Sequence, residues 1–438
     1  MKKRKIISGL LVLSMLAGMS LSSFADFEMT NETKDSILSQ ETNESEVYDF
    51  AKSILSNDVE YLSKDEVLTI ARQNILAFIS DETEYSEKNV YPSENFIDIY
   101  DLYGNLFAYI VPLNDTNGTE IGYITIGALK DGFSSYLTSL NPQSIQLIRQ
   151  TMSQYDNATL VMIPPCTLMV KVEGSEGEKY LDISFDQEAE DVTEMVEKNE
   201  INFLNAYSMV RGQEQKSKME NLLLMQENDI KESRALGATL RDESNFVNIG
   251  GTYYGCSQQW TTSYQDNGCG PAAAANIMYY MSDQDSDYSA LYPYTSISKS
   301  TFTQYLEEVC DYLDPSMIGM FSYSQWASKV KSYGSSQGVS MSYKSYPYSY
   351  SQDGCEQFIF NGLRANAPVA SLNAYIQLRD IEISDLNYHW ITITKFNSTS
   401  AGSQITFSSW GKKYSFNFDT YYAYASAATN SGLVYFVY

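Results

Sequence analysis

The 438-residue chain carries a single histidine, His389. One imidazole and five scattered cysteines offer no ligand cluster, so the chemistry of a metal hydrolase is not expected and no metal site is predicted. Basic side chains are also scarce, at 29 Lys and Arg against 55 Asp and Glu, for a formal charge of -26. Such acidity would repel phosphates, which argues against a nucleic-acid partner. Long apolar runs are missing after the first residues, and with them any later membrane-spanning segment. Cysteines number five (Cys166, Cys256, Cys269, Cys310 and Cys355). An odd count in an exported protein leaves at least one free or bonded to another molecule.

The one long apolar run stands at the start. Lys2, Lys3, Arg4 and Lys5 precede Ile6 to Leu21, and Ser23-Phe24-Ala25 offers small residues for a signal peptidase. The run is short for a bilayer and holds Ser8, Gly9, Ser14 and Gly18. Residues 1–25 are therefore read as a signal peptide. The mature protein should begin at Asp26 and be secreted or held at the cell surface, with no stable membrane anchor.

The remaining charge is divided unevenly. Between Asp26 and Asn248 there are 16 Lys and Arg against 41 Asp and Glu, but 9 against 14 from Ile249 to the end. Two pieces with different jobs are implied. Residues 26–62 read as an acidic leader. Residues 63–190 read as an α+β domain that opens with a helix. Its start is the capping box Ser63-Lys64-Asp65-Glu66, with Leu62 stapled to Val67, and Val67, Leu68, Ala71, Ile75, Phe78 and Ile79 form one apolar face. An antiparallel meander is expected next, with strands near 96–103, 106–113, 121–126, 159–163, 167–172 and 180–185. Residues 191–247 read as a charged, helix-prone connector that a protease could cut.

Residues 248–438 are rich in Tyr, Ser and Ala and are expected to fold helix first and sheet last. Tyr is abundant, at 36 residues, with dense runs at 343–350 and 421–424. Such rings fill strands and half-wet surfaces well.

Two segments carry chemistry. In Asn267-Gly268-Cys269-Gly270-Pro271-Ala272-Ala273-Ala274-Ala275, Pro271 suits the first turn of a helix. Cys269 then sits at the helix N-terminus, where unpaired N–H groups and the macrodipole favour a thiolate and can hold an oxyanion. In Asn387-Tyr388-His389-Trp390-Ile391-Thr392-Ile393-Thr394, the only histidine opens an alternating strand. A thiol nucleophile needs a base near neutral pKa, and His389 is the one imidazole on offer. The strand from Ile405 ends at Ser408-Ser409-Trp410-Gly411, so its end can lie beside His389 in a hairpin.

A Cys opening a buried helix, a strand-starting His and a strand ending before Ser-Trp-Gly resemble the papain superfamily. Cys-Gly-Pro-Ala-Ala and His-Trp-Ile are similar to its bacterial branch related to the bacteriocin-processing, double-glycine peptidases. The likeness covers about Gly250 to Tyr438. Residues 63–190 resemble, by architecture alone, the propeptides of streptopain-type enzymes. The resemblance implies a papain-like domain in which a central N-terminal helix packs on an antiparallel sheet. It also implies a Cys–His thioacyl mechanism on peptide or protein substrates, no metal or organic cofactor, and an N-terminal pro-region acting as intramolecular inhibitor. By position it makes Cys269 the nucleophile, His389 the base and Trp410 the shield of the imidazole.

Two positions depart from the family pattern. Ser408 stands where the family has the Asn that orients the histidine, and Ser409 and Asp419 are alternatives. Ser263 stands where the oxyanion-hole Gln is usual. Gln258, Gln259 and Gln265 are nearby, and Gln259 is preferred because Gln-Trp after Gly255-Cys256-Ser257 resembles the approach segment. Two other readings are open on sequence: another acyl transfer by the same Cys–His pair (transpeptidation, deamidation or amide cleavage), and a non-catalytic adhesin on a decayed peptidase fold.

Overall fold

The structure, a computed structural model, describes residues 59–79, 90–132, 135–164, 167–174, 177–183, 189–200, 203–204, 206–207, 210–211, 236–316, 319–320, 322–374, 389–399 and 402–437. The expected signal peptide, nearly all of the acidic leader, much of the connector and Cys166 lie outside the described residues.

The front half opens as its sequence predicts. Helix α1 (Lys64–Asn74) starts at Ser63, whose Oγ accepts from the Glu66 N–H while the Glu66 carboxylate accepts from the Ser63 N–H at 2.7 Å. A single π-helical segment, Ile75–Ile79, prolongs it. The whole expected apolar face (Val67, Leu68, Ala71, Ile75, Phe78 and Ile79) is buried.

Strands β1 (Tyr91–Pro92), β2 (Ile97–Tyr100), β3 (Leu106–Asn114), β4 (Glu120–Gly127) and β5 (Leu137–Ser139) follow. Helix α2 (Pro142–Ser153), capped by Asn141 with Pro at its first position, then carries the chain across to β6 (Ala158–Ile163), β7 (Thr167–Gly174) and β8 (Gly177–Asp182). This helix departs from the expected plain meander, and it has a topological consequence. Strand β6 pairs with β2 in parallel, a geometry that needs a long crossover instead of a hairpin. Strand β9 (Glu190–Asp191) and helix α3 (Thr193–Lys198) close the front half.

The back half begins earlier than residue 248. Strand β10 (Leu236–Thr239), assigned to the connector on sequence, pairs with β15 (His389–Thr399). Phe246 is fully buried, and Glu243 accepts from Tyr254 and pairs with Lys413. Short charged segments read as linker from composition; here they are held by backbone pairing that composition does not encode. After β11 (Asn248–Ile249) and β12 (Tyr253–Tyr254) come helices α4 (Cys269–Gln284), α5 (Lys299–Leu313) and α6 (Tyr323–Ser336). Strand β13 (Ser342–Pro347), helix α7 (Gln352–Arg364) and strand β14 (Val369–Asn373) lead to β15. Then come β16 (Gly402–Ser409), β17 (Lys412–Asn417), helix α8 (Phe418–Ala425) and β18 (Gly432–Val437).

The result is an α+β protein with one large, mostly antiparallel sheet in the order β13-β18-β14-β15-β16-β17-β5-β4-β3-β2-β6-β7-β8-β9. The strands of the two halves meet where β17 pairs with β5. Helix α4 lies buried on this sheet, and its residues from Cys269 to Met278 are all buried, including the four alanines. Small side chains let the helix approach the strands closely, as the alanine run implied.

Candidate active site

Cys269 is the first residue of α4, and the preceding Gly268 caps it without a side-chain hydrogen bond. The first N–H groups of the helix are thus not taken up by a capping side chain. Gly268 is needed for space, and Gly270 is closely packed. A Cβ on Gly268 would lie 2.5 Å from the Tyr264 carbonyl, and one on Gly270 would lie 3.3 Å from Met320 and from the Trp390 ring. Trp326 holds the helix start by donating from Nε1 to the Gly270 carbonyl at 2.9 Å, and it stacks on Trp390 with centroids 4.5 Å apart.

Burial raises the Cys269 thiol above its ordinary pKa, and the backbone N–H groups of Trp390, Gly270 and Cys269 lower it by less. The start of α4 thus packs against Trp390, the residue that follows the only histidine. His389 opens β15 opposite Asn373 and is 7 % exposed; Cys269 is 8 % exposed. Burial pushes the imidazole pKa down to about 3.

One nitrogen of the imidazole is occupied. His389 Nε2 lies 2.7 Å from Ser409 Oγ. Ser408, the first candidate for that role, instead donates to the Tyr254 carbonyl at 2.7 Å. The two serines are neighbours on β16 and so point to opposite faces, and only one face meets the histidine. Ser408 ties the approach segment to the sheet. A Cβ on Gly255 would sit 2.1 Å from its Oγ, and Gly255 also has φ +83°, a conformation that suits glycine. Asp419 is not on a strand but in the first turn of α8, where it accepts from Gln352.

Trp410 covers the imidazole. The rings are 4.3 Å apart at 12°. Trp410 and Gly411 form the two-residue link between β16 and β17, with φ +48° and +76°. This is the turn that suits the twist of a tight hairpin, and it favours Asn or Gly at its first position. A tryptophan there costs local strain, which its stacking on the histidine helps to offset.

The glutamines separate clearly. Gln259 is exposed, and its amide reaches only the Gln265 carbonyl at 3.4 Å. Gln258 is buried, donates to the same carbonyl at 2.7 Å, and has its Cβ within 3.3 Å of a Cβ placed on Gly268. Of the two, Gln258 is the one that packs toward the start of α4. Both lie in a single 3-10 turn, Gln258–Trp260, whose phase decides which side chain turns inward.

Cys256, Cys269, Cys310 and Cys355 are all buried free thiols. Among the described residues there is no group of three or more His, Cys, Asp or Glu that could hold a metal ion. No protein-family model matches the chain, and neither does any curated protein sequence.

Proposed function

We propose that the chain is a secreted cysteine peptidase of papain-like type, made as a zymogen and activated by cleavage between its halves. The front half serves as pro-region and intramolecular inhibitor. The observation that carries this reading is the packing of the helix start that bears Cys269 against Trp390, the residue next to the only histidine. That histidine has Nε2 on Ser409 and its face under Trp410.

With Ser409 on Nε2, Nδ1 is the nitrogen left for the thiol. His389 takes the Cys269 proton, and the sulfur attacks a peptide carbonyl carbon. The carbonyl electron pair moves to oxygen, where the Cys269 N–H and the Gln258 amide stabilise it. Collapse of this intermediate expels the amine, which takes the proton from His389. A water that gives its proton to His389 then hydrolyses the thioester and restores the thiol. Ser409 is a positioning residue and Trp410 keeps water from the ring.

The test is hydrolysis of a mixed peptide library by the cleaved protein, with products identified by mass. Free carboxylate and amine termini are expected from the wild type and none from Cys269→Ala. Transpeptidation products or released ammonia would point to another acyl transfer by the same pair. Full hydrolysis by Cys269→Ala would end the proposal.

A further inference from the structure

The two halves share more than a linker. Phe416 and Ser415 of β17 pair with Leu137 and Thr138 of β5, and the Asn417 N–H donates to the Tyr136 carbonyl at 2.8 Å. Gln404 donates to Thr138 Oγ1 at 3.3 Å, and Tyr424 donates to the Ala206 carbonyl at 3.1 Å. Beneath these bonds lies one apolar core. It includes Phe107, Tyr136 and Tyr207 from the front half and Phe416, Phe418 and Tyr424 from the back half.

This contact is remote from the chemistry. Ser415 and Phe416 pair with Thr406 and Ile405 of β16, which pair with Lys395 and Phe396 of β15. Lys395 is six residues along the strand from His389, roughly 20 Å at the rise of an extended chain.

From this geometry we infer that the front half extends the catalytic sheet beyond β17, gripping its far end, and that cutting the connector leaves it seated there. The inference rests on the proposed activation by cleavage. It describes a two-chain product in which the cut relieves inhibition while the front half stays on the sheet. Physically, loss of the front half would uncover the backbone groups of β17 and the aromatic core beneath it. A bare edge of that kind invites pairing with other chains. A strand already in register, backed by a continuous core, is its best occupant.

The experiment uses full-length Cys269→Ala with a site for a sequence-specific protease inserted between Gln215 and Lys216. After complete cutting, verified on a denaturing gel, the sample is run on a native sizing column. Both fragments are expected in one peak at the mass of the uncut chain. Separate peaks, or a back-half dimer without the front half, would overturn the inference. A second variant, Gln404→Ala with Tyr424→Phe, keeps the strands but removes two bonds, and should dissociate at a protein concentration ~10-fold higher or more. An unchanged dissociation constant would show that the grip lies elsewhere. Neither readout depends on activity, so failure here is distinguishable from failure of the peptidase reading.

Discussion

His389 Nε2 and Ser409 Oγ are 2.7 Å apart, while Ser408, one residue earlier, bonds the Tyr254 carbonyl. Adjacent serines on one strand thus do different work: one orients the imidazole and the other fastens the approach segment. Ser409→Ala should lower kcat roughly tenfold, the effect of losing one hydrogen bond of ~1.5 kcal/mol, with KM little changed. Ser408→Ala should instead lower thermal stability and leave kcat of the folded fraction near wild type. Steady-state kinetics with a melting curve for each variant separates the two. Equal kcat losses from both would contradict this division.

The two glutamines allow an equally direct comparison. Gln258→Ala should reduce kcat by about 10²-fold, the usual effect of deleting one oxyanion donor. Gln259→Ala, whose side chain is exposed, should stay within a few-fold of wild type. Kinetics on one peptide substrate, with circular dichroism to verify folding, decides the matter. The reverse order would restore Gln259.

Burial of His389 has a consequence for stability. Its pKa falls from an ordinary 6.5 to about 3 in the folded chain. Between these values the unfolded chain binds a proton that the folded chain does not, so stability must fall as pH falls. The contribution is fully present above about pH 6.5 and is lost progressively toward pH 3. Urea unfolding of wild type and His389→Gln across this range isolates it from the carboxylates. The wild type should show the steeper loss, and parallel curves would mean that the ring is not buried neutral.

Much of this architecture is readable in the amino-acid order. Ser63 and Glu66 mark the first helix because a capping box is a local device, complete within four residues. Helix α4 is equally legible from Gly-Cys-Gly-Pro-Ala, and a single histidine leaves one candidate base. What escapes is whatever depends on register or distance. The bulge between Ile393 and Lys395 shifts the pairing of β15 with β16, so the residue facing His389 cannot be counted off the sequence. The inward turn of Gln258 depends on the phase of a 3-10 turn. Strand β10 and the pairing of β17 with β5 are long-range backbone contacts with no side-chain signature. A signal for Ser409 did exist: the serine next to Trp410 is the one that a tight two-residue hairpin holds near the ring.

The central claim is that Cys269 and His389 act as one unit, and covalent labelling tests it most directly. The cleaved protein is treated with a thiol-directed epoxide, and the adduct is mapped by mass spectrometry in wild type and in His389→Asn. Modification is expected at Cys269 alone, with Cys256, Cys310 and Cys355 unlabelled in the folded protein. Labelling should be at least ~10²-fold slower without the imidazole. An adduct at another cysteine, or an unchanged rate in His389→Asn, would contradict the claim.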